Sequence, residues 1–226
     1  MSSRCYMCNE YATSKEHVPA KCFFPENPTT SVNLITVRSC KAHNEDSSND
    51  DQYTRDVIVM SAFGSYFSKH QFNYKTHPCF LKQPGYLKLF LQEVISVATD
   101  LGNTKAFQID RKRFDRTIKK YAYGLYFNTY KTHWERDLSV ATDHLYEKSS
   151  NGKELVPDDL GIIIREFKSE HWPLPDNVFN GSNQDVFKYC FIPLNTSSED
   201  SVLLMVFYNT FDIWVVPGTE YCIPKL

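Results

Sequence analysis

The spacing of apolar positions divides the chain into segments with different periods. Near the C-terminus the period is two, and β-branched and aromatic residues dominate three runs, Asp185 to Ile192, Ser201 to Tyr208 and Phe211 to Val216. This alternation is typical of strands, and Asn209-Thr210 between the last two runs suits a tight hairpin turn. The pattern predicts a small antiparallel sheet of three strands over residues 185–216.

The middle of the chain follows a helical period. Apolar residues between Pro84 and Gly102 recur at helical spacing and predict a helix over about 85–101. A second helix is predicted over about 110–127, with Asp110 as its N-cap. Residues 65–83 contain Pro78, are followed by Pro84 and are predicted as a linker. A short helix or strand is predicted around 160–167.

The first part of the chain predicts two short strands followed by a helix. Residues 13–18 and 34–38 suit strands, whereas the sequence from Asn44 onward places Tyr53, Val57 and Met60 on one helical face. A boundary between 64 and 84 would then separate a module at 1–64 from a body at 65–226. The fold class predicted is α+β.

Two pairs of metal-ligand residues occur within this first module. Cys5 and Cys8 are separated by two residues, and so are Cys40 and His43. Such spacing lets both side chains of a pair face one ion, as in tetrahedral zinc sites. Four protein ligands close the shell, so we expect a structural zinc ion that holds the fold and leaves the chemistry to other residues.

Three polar residues lie where this zinc ion would fix their orientation. Glu16 and His17 fall between the ligand pairs, and Asn44 follows the last ligand. Together with the zinc ligands they resemble the HNH nucleases of the ββα-metal superfamily. The resemblance implies an N-terminal zinc-bound ββα-metal (HNH) module followed by a helical segment and the small C-terminal sheet. It also implies that His17 is the general base, while Glu16 and Asn44 hold a catalytic Mg²⁺ or Mn²⁺ ion.

The match to this family departs from its usual pattern at two positions. Position 16 is Glu where Asp is commoner, and Gln52 and Tyr53 stand where a further His would follow Asn44. Ser48 and Asp51 are alternative candidates for the third motif residue.

Charge and cysteine content restrict the partners and the compartment. The net charge is −2, so attraction to DNA, the expected substrate, or to RNA requires a local patch. One helix face provides a patch that can bind phosphates or can simply be a solvated face; it comprises Lys112, Arg116, Lys119 and Lys120. The cysteines outside the zinc set, Cys22, Cys79, Cys190 and Cys222, have no framework spacing, which favours reduced thiols and a cytoplasmic protein. No apolar run is long enough to predict a membrane span.

Two classes of function remain open. The first is a metal-dependent endonuclease, a family whose small members act in restriction, mobile elements and anti-phage defence. The second is a non-catalytic zinc-knuckle module that binds nucleic acid or protein. A hydrolase using Cys22 and His17 is a third alternative, but nothing in the sequence supplies an oxyanion donor for it. The region 84–226 is predicted to form a homodimer, to select DNA shape or to sense a partner.

Overall fold

The computed structural model describes residues 4–26, 33–44, 48–62, 64–99, 102–148, 155–157, 159–194 and 196–218. Seven α-helices and eleven strands occur within these ranges. The helices are α1 (Lys41–Asn44), α2 (Ser48–Ser61), α3 (Tyr66–Gln71), α4 (His77–Lys82), α5 (Pro84–Leu91), α6 (Arg111–Tyr130) and α7 (Asp159–His171). The strands are β1 (Ser14–His17), β2 (Thr36–Ser39), β3 (Val94–Thr99), β4 (Gly102–Phe107), β5 (Leu138–Ala141), β6 (Tyr146–Lys148), β7 (Leu155–Pro157), β8 (Asn180–Asn183), β9 (Phe187–Pro193), β10 (Ser201–Phe207) and β11 (Phe211–Pro217). The chain is therefore mixed α and β, as predicted.

The N-terminal region has the predicted order of strand, strand and helix. β1 pairs antiparallel with β2, with Glu16 opposite Val37 and His17 opposite Thr36. Cys40 follows β2 directly, and α1 and α2 come next. This short hairpin and its following helices place His17 at the last position of β1.

The predicted linker at 65–83 is helical instead. Ser65 caps α3 by accepting a hydrogen bond from the Ser68 amide, and a π-helical turn over Phe72–Thr76 joins α3 to α4. Pro78 lies in the first turn of α4, directly after the π-helical turn, and Pro84 lies in the first turn of α5. The linker prediction is wrong because proline is compatible with the first turn of a helix.

The predicted helix at 85–101 is correct only in its first half. α5 ends at Leu91, and β3 then forms a hairpin with β4 in which Val94 lies opposite Phe107. Val94, Ile95 and Val97 are β-branched and prefer an extended backbone. Their apolar spacing also fits a helical stripe, so periodicity alone did not distinguish the two structures.

The predicted second helix is confirmed and extends three residues further than expected. α6 spans Arg111–Tyr130, and the Asp110 side chain accepts a hydrogen bond from the Arg113 amide, as an N-cap should. Its predicted apolar stripe is fully buried and consists of Phe114, Ile118, Tyr121 and Leu125.

None of the helices in the described ranges combines the length and apolar content needed to cross a membrane.

The C-terminal sheet contains the three predicted strands and two more. Its order is β5-β11-β10-β9-β8, and every neighbouring pair is antiparallel. All seven residues of β10 are buried, because each face of this strand meets a different hydrophobic cluster. Leu203 and Met205 contact the main core, whereas Leu204 contacts a second cluster that includes Ile164 of α7. The segment at 160–167 is accordingly a helix that covers one face of the sheet.

One hydrophobic core contains residues from both predicted domains. Cys5 and Val18 from the N-terminal hairpin region belong to the same cluster as Ile118 of α6 and Met205 of β10. α6 approaches the hairpin closely at Gly124, where an added Cβ would lie 2.7 Å from a methyl carbon of Val18. The division into 1–64 and 65–226 stays a prediction, and the packing between the two parts is intimate.

A buried ion pair joins the hairpin to α6. Lys120 Nζ lies 2.8 Å from Glu16 Oε1 and 2.7 Å from Asp51 Oδ1. Tyr6 donates a hydrogen bond of 2.9 Å to Glu16, and Tyr121 donates one of 2.7 Å to Asp51. Burial raises the pKa of Glu16, although Lys120 and Tyr6 oppose the rise. One ammonium group therefore compensates two carboxylates from different elements.

We expect Lys120→Met to lower the free energy of unfolding by about 3–5 kcal/mol, because two buried carboxylates would lose their cation. Lys112→Met, on the exposed face of the same helix, should change it by less than about 0.5 kcal/mol. Adding Glu16→Gln to Lys120→Met should restore part of the loss. Urea denaturation measures all three variants, and equal effects of the two lysine substitutions would contradict the assignment.

Candidate metal centre and the outward face of the hairpin

The four predicted zinc ligands meet at one point. His43 Nδ1 lies 3.4 Å from Cys5 Sγ, 3.6 Å from Cys8 Sγ and 3.2 Å from Cys40 Sγ. The Sγ atoms of Cys8 and Cys40 are 3.8 Å apart, and all four ligand atoms lie within 4.8 Å of one another. Zinc bonds of about 2.3 Å to sulfur and about 2.0 Å to nitrogen give tetrahedral edges of about 3.8 Å and about 3.5 Å. The donor set therefore fits a tetrahedral zinc ion.

The chemistry of the thiols also suits a cation. Burial raises the pKa of Cys5, but backbone amides and His43 outweigh it and lower the pKa to about 6. The Met7 amide is one of these donors, 3.5 Å from Cys5 Sγ. By contrast, burial and the neighbouring thiols raise the pKa of Cys8 to about 11. A divalent cation among the sulfurs would remove this penalty by favouring the thiolates.

Glu16 does not face the place where a catalytic ion was predicted. Alternation along β1 turns Glu16 inward, where it is 5% exposed and engaged by Lys120 and Tyr6. Asn44 uses its Nδ2 to donate to Ser14 Oγ at 2.8 Å and to the Lys15 carbonyl at 3.4 Å. Glu16 therefore does not fit the predicted Mg²⁺ or Mn²⁺ site. Asn44 fixes β1 against the helix that carries His43.

The opposite side of the hairpin carries His17 among positive charges. We call the residues Lys15, His17, Thr36 and Arg38 the outward face; Lys15 and Arg38 are exposed and lie directly opposite each other. Like charges in register destabilise a strand pair, so this arrangement is typical of a surface that meets an anion. Burial, followed by the charge of Lys21, lowers the pKa of His17. The imidazole is accordingly neutral at physiological pH and can accept a proton.

The outward face was only partly anticipated from the sequence. His17 was predicted, but Lys15, Lys21 and Arg38 were not. The signal was available, since alternation along the two predicted strands places residues 15 and 17 on one side, and only the register was needed to add residue 38.

The candidates for the third motif residue differ in accessibility. Asp51 is buried and paired with Lys120, whereas Ser48 is exposed at the first position of α2. Asp51 therefore acts in the core and does not face a substrate.

The predicted phosphate-binding face of α6 is smaller than expected. Lys112 is exposed and Lys119 is partly buried, but Arg116 forms an ion pair of 2.5 Å with Asp50. Lys120 was assigned to the wrong face: its side chain is 8% exposed and points into the core. Its position in α6 turns the Lys120 side chain to the buried side of the helix, next to Tyr121. The remaining positive charge on this face is largely that of Lys112 and Lys119.

A second group of possible metal ligands lies where β5, β11 and α7 meet. His144 Nε2 lies 3.4 Å from both Asp143 Oδ1 and Asp212 Oδ1. Lys168 Nζ, however, lies 2.9 Å from a carboxylate oxygen of each aspartate. Its ammonium group occupies the position that a cation would take, and the pKa of Lys168 is raised: burial alone would lower it, but the two aspartates outweigh burial. This cluster is an internal ion-pair network that anchors α7 to the sheet.

Comparison of the chain with family models, with curated proteins and with solved structures gives no match. We call Cys5, Cys8, Cys40 and His43 the zinc cluster. The evidence about function is therefore the geometry of the zinc cluster and of the outward face.

We expect purified protein to contain about one zinc ion per chain, because the four ligands close one tetrahedral shell. Cys8→Ser should lose most of the zinc and unfold at a lower temperature, since metal binding contributes to folding. Cys79→Ser is the matched control: this cysteine lies outside the cluster, with Gln52 as a hydrogen-bond partner, and should retain the metal. Elemental analysis measures the content, and equal zinc in both variants would contradict the ligand assignment.

The Asp212 network predicts a pH dependence of stability. Burial raises the pKa of Asp212, but His144 and Lys168 outweigh it and lower the pKa to about 2. Because the pKa is lower in the folded than in the unfolded state, the stabilisation is complete above about pH 5 and disappears as the pH falls towards about 2. We expect the difference in unfolding free energy between wild type and Asp212→Asn to shrink by about 2 kcal/mol over this interval.

Urea denaturation at several pH values measures this difference. Asp176→Asn is the control, because Asp176 is 89% exposed and paired only at the surface with Lys188. A wild-type to Asp212→Asn difference that stays constant with pH would overturn the assignment.

Proposed function

We propose that this chain is an HNH-type endonuclease in which His17 is the general base. The observation that carries the proposal is the outward face together with the nearby Lys21. A neutral imidazole at the end of β1 shares this surface with the positive charges of Lys15, Lys21 and Arg38. The zinc cluster, the antiparallel hairpin and the following helices provide the ββα arrangement that such a site requires. DNA is the proposed substrate, and RNA is the alternative.

The chemistry of phosphodiester hydrolysis assigns a role to each part of this surface. Water is a poor nucleophile, so a base must take its proton as it attacks phosphorus. His17 fills that role, while the cations around it attract the phosphate and offset its charge. Asn44 holds the β1 backbone at Lys15, two residues from the imidazole. A zinc ion bound by Cys5, Cys8, Cys40 and His43 would hold the hairpin and α1 together and so fix the orientation of His17.

The family resemblance also implies a Mg²⁺ or Mn²⁺ cofactor. The Glu16 carboxylate is buried and engaged by Lys120, so it does not present a ligand for that ion. The proposed roles are therefore confined to the residues of the outward face and their supports.

The burial of Glu16 favours a second candidate function. A zinc knuckle whose acidic motif residue serves the core can still bind phosphates through Lys15, Lys21 and Arg38 without cleaving them. This alternative is a non-catalytic nucleic-acid-binding module, and it differs from the first only in whether His17 transfers a proton.

We expect wild-type protein to nick or cut supercoiled plasmid or single-stranded DNA in the presence of Mg²⁺ or Mn²⁺. His17→Ala and His17→Gln should slow cleavage by at least about 100-fold, because removal of a general base typically costs that much or more. Zinc content and melting temperature should stay unchanged, since His17 lies outside the zinc cluster. Gel analysis of product formation over time provides the measurement.

The controls separate the two candidate functions. Thr36→Ala alters the exposed cross-strand neighbour of His17 and should retain cleavage. Glu16→Gln should lower stability, because Glu16 pairs with Lys120 in the core, while leaving the cleavage rate of the folded protein unchanged. DNA binding without cleavage by wild type under any of these metal conditions would refute the nuclease and establish the binding module.

A further inference from the structure

A long segment of the chain contains no acidic residue. Between Asp56 and Glu93 there is neither Asp nor Glu, although the whole chain has a net charge of −2. The same segment contains four lysines, Lys69, Lys75, Lys82 and Lys88. It forms α3, the π-helical turn, α4 and α5, so its positive charge is concentrated on one helical region. Such a region attracts phosphates more strongly than the composition of the chain suggests.

Three aromatic side chains form a row on the outside of this region. We call Tyr66, His70 and Tyr74 the aromatic ladder. The ring centroids of Tyr66 and His70 are 6.4 Å apart, and those of His70 and Tyr74 are 4.4 Å apart. Tyr66 is 74% exposed and Tyr74 is 69% exposed, so both rings present much of their surface to solvent. Large exposed aromatic surfaces on an otherwise well-packed helix are typical of binding sites.

The π-helical turn contributes to this arrangement. It spans Phe72–Thr76 and contains Tyr74, so the last ring of the ladder lies on a wider turn than an α-helix provides. π-helical turns within helices occur frequently at functional sites. His70 Nδ1 is covered and has no hydrogen-bond partner among the described residues, and the His70 ring contacts the ring of Tyr74.

The ladder is attached to the residues that follow His17. Gln71 Nε2 donates to the Cys22 carbonyl at 3.1 Å and to the Phe23 carbonyl at 2.6 Å. Lys75 forms an ion pair with Glu26. Lys21, whose charge acts on His17, belongs to the same short turn as Cys22 and Phe23. The ladder helix and the outward face are therefore braced against one loop.

We propose that the aromatic ladder is a stacking platform for unpaired bases of a nucleic-acid strand whose phosphates are attracted by the acid-free segment. Every base has a flat face that can stack on Tyr or His, and this face is covered by neighbouring bases in a duplex. The preferred ligand is accordingly single-stranded, or a locally unpaired stretch. The choice of nucleic acid rests on the proposed function, and it names the substrate class of the same site. A protein partner is disfavoured, because lysine is depleted in protein interfaces and this segment supplies four lysines and no acidic residue of its own.

Binding of labelled oligothymidylate to zinc-loaded protein, without added Mg²⁺ or Mn²⁺, tests the proposal by fluorescence anisotropy. We expect Tyr74→Ala to weaken binding about tenfold, and Tyr66→Ala to act in the same direction, because loss of one stacked base typically has an effect of this size. Tyr74→Phe should bind like wild type, since it keeps the ring. Lys69→Gln should reduce the salt dependence of binding, because one phosphate contact would be lost.

The control is Tyr146→Ala, which removes a tyrosine that is 47% exposed on a different part of the surface. It should leave binding unchanged. Equal binding by wild type and Tyr74→Ala, or equal losses in Tyr74→Ala and Tyr146→Ala, would overturn the proposal, and so would equal affinity for the strand and for its duplex. Because no cleavage is needed, loss of the nuclease activity in His17→Ala with intact strand binding separates this proposal from the proposed function.

Discussion

Lys120 holds two buried carboxylates together, and the orientation of the N-terminal hairpin depends on it. Its ammonium group pairs with Glu16 of β1 and Asp51 of α2, and all three side chains lie in the interior. Since successive residues of a strand point to opposite sides, fixing Glu16 inward obliges Lys15 and His17 to point outward. The same ion pair thus determines a part of the core and the composition of a surface. Burying one of these charges without its partner would cost free energy, so the ion pair favours this orientation of the hairpin over others.

The zinc cluster and the ion pair constrain the hairpin from two directions. Zinc would join the first loop, the end of β2 and α1 through four ligands, whereas Lys120 joins β1 to α6 through a carboxylate. Asn44 adds a third connection between α1 and the β1 backbone. A short two-stranded hairpin is marginally stable alone, so these connections supply the rigidity that it lacks by itself.

The sequence predicted correctly those features whose signal lies in residues close together in the chain. The spacing of Cys5, Cys8, Cys40 and His43 was enough to place all four ligands together, and Asp110 identified the start of α6. The role of Glu16 could not be predicted, because its partner, Lys120, is distant in the chain. The position of Lys120 in the predicted helix suggested an exposed charge. The hairpin at 94–107 was missed because its β-branched residues also satisfy a helical spacing. Short strands such as β5 and β8 carry too few residues to show a period, and they are defined by the strands on which they pair.

The contact between Gly124 and Val18 has an evolutionary consequence. α6 touches the side chain of Val18, the residue after β1, at a position where any larger side chain would force Val18 to move. A few steps earlier on the same helix, Lys120 completes the inner side of the hairpin. The hairpin with its four candidate zinc ligands is therefore not a transferable cassette that recombination could attach to an unrelated protein. Its inheritance is tied to that of α6, and a homologue that keeps the four zinc ligands without a small residue and a cation at these two helical positions would have to build its hairpin differently.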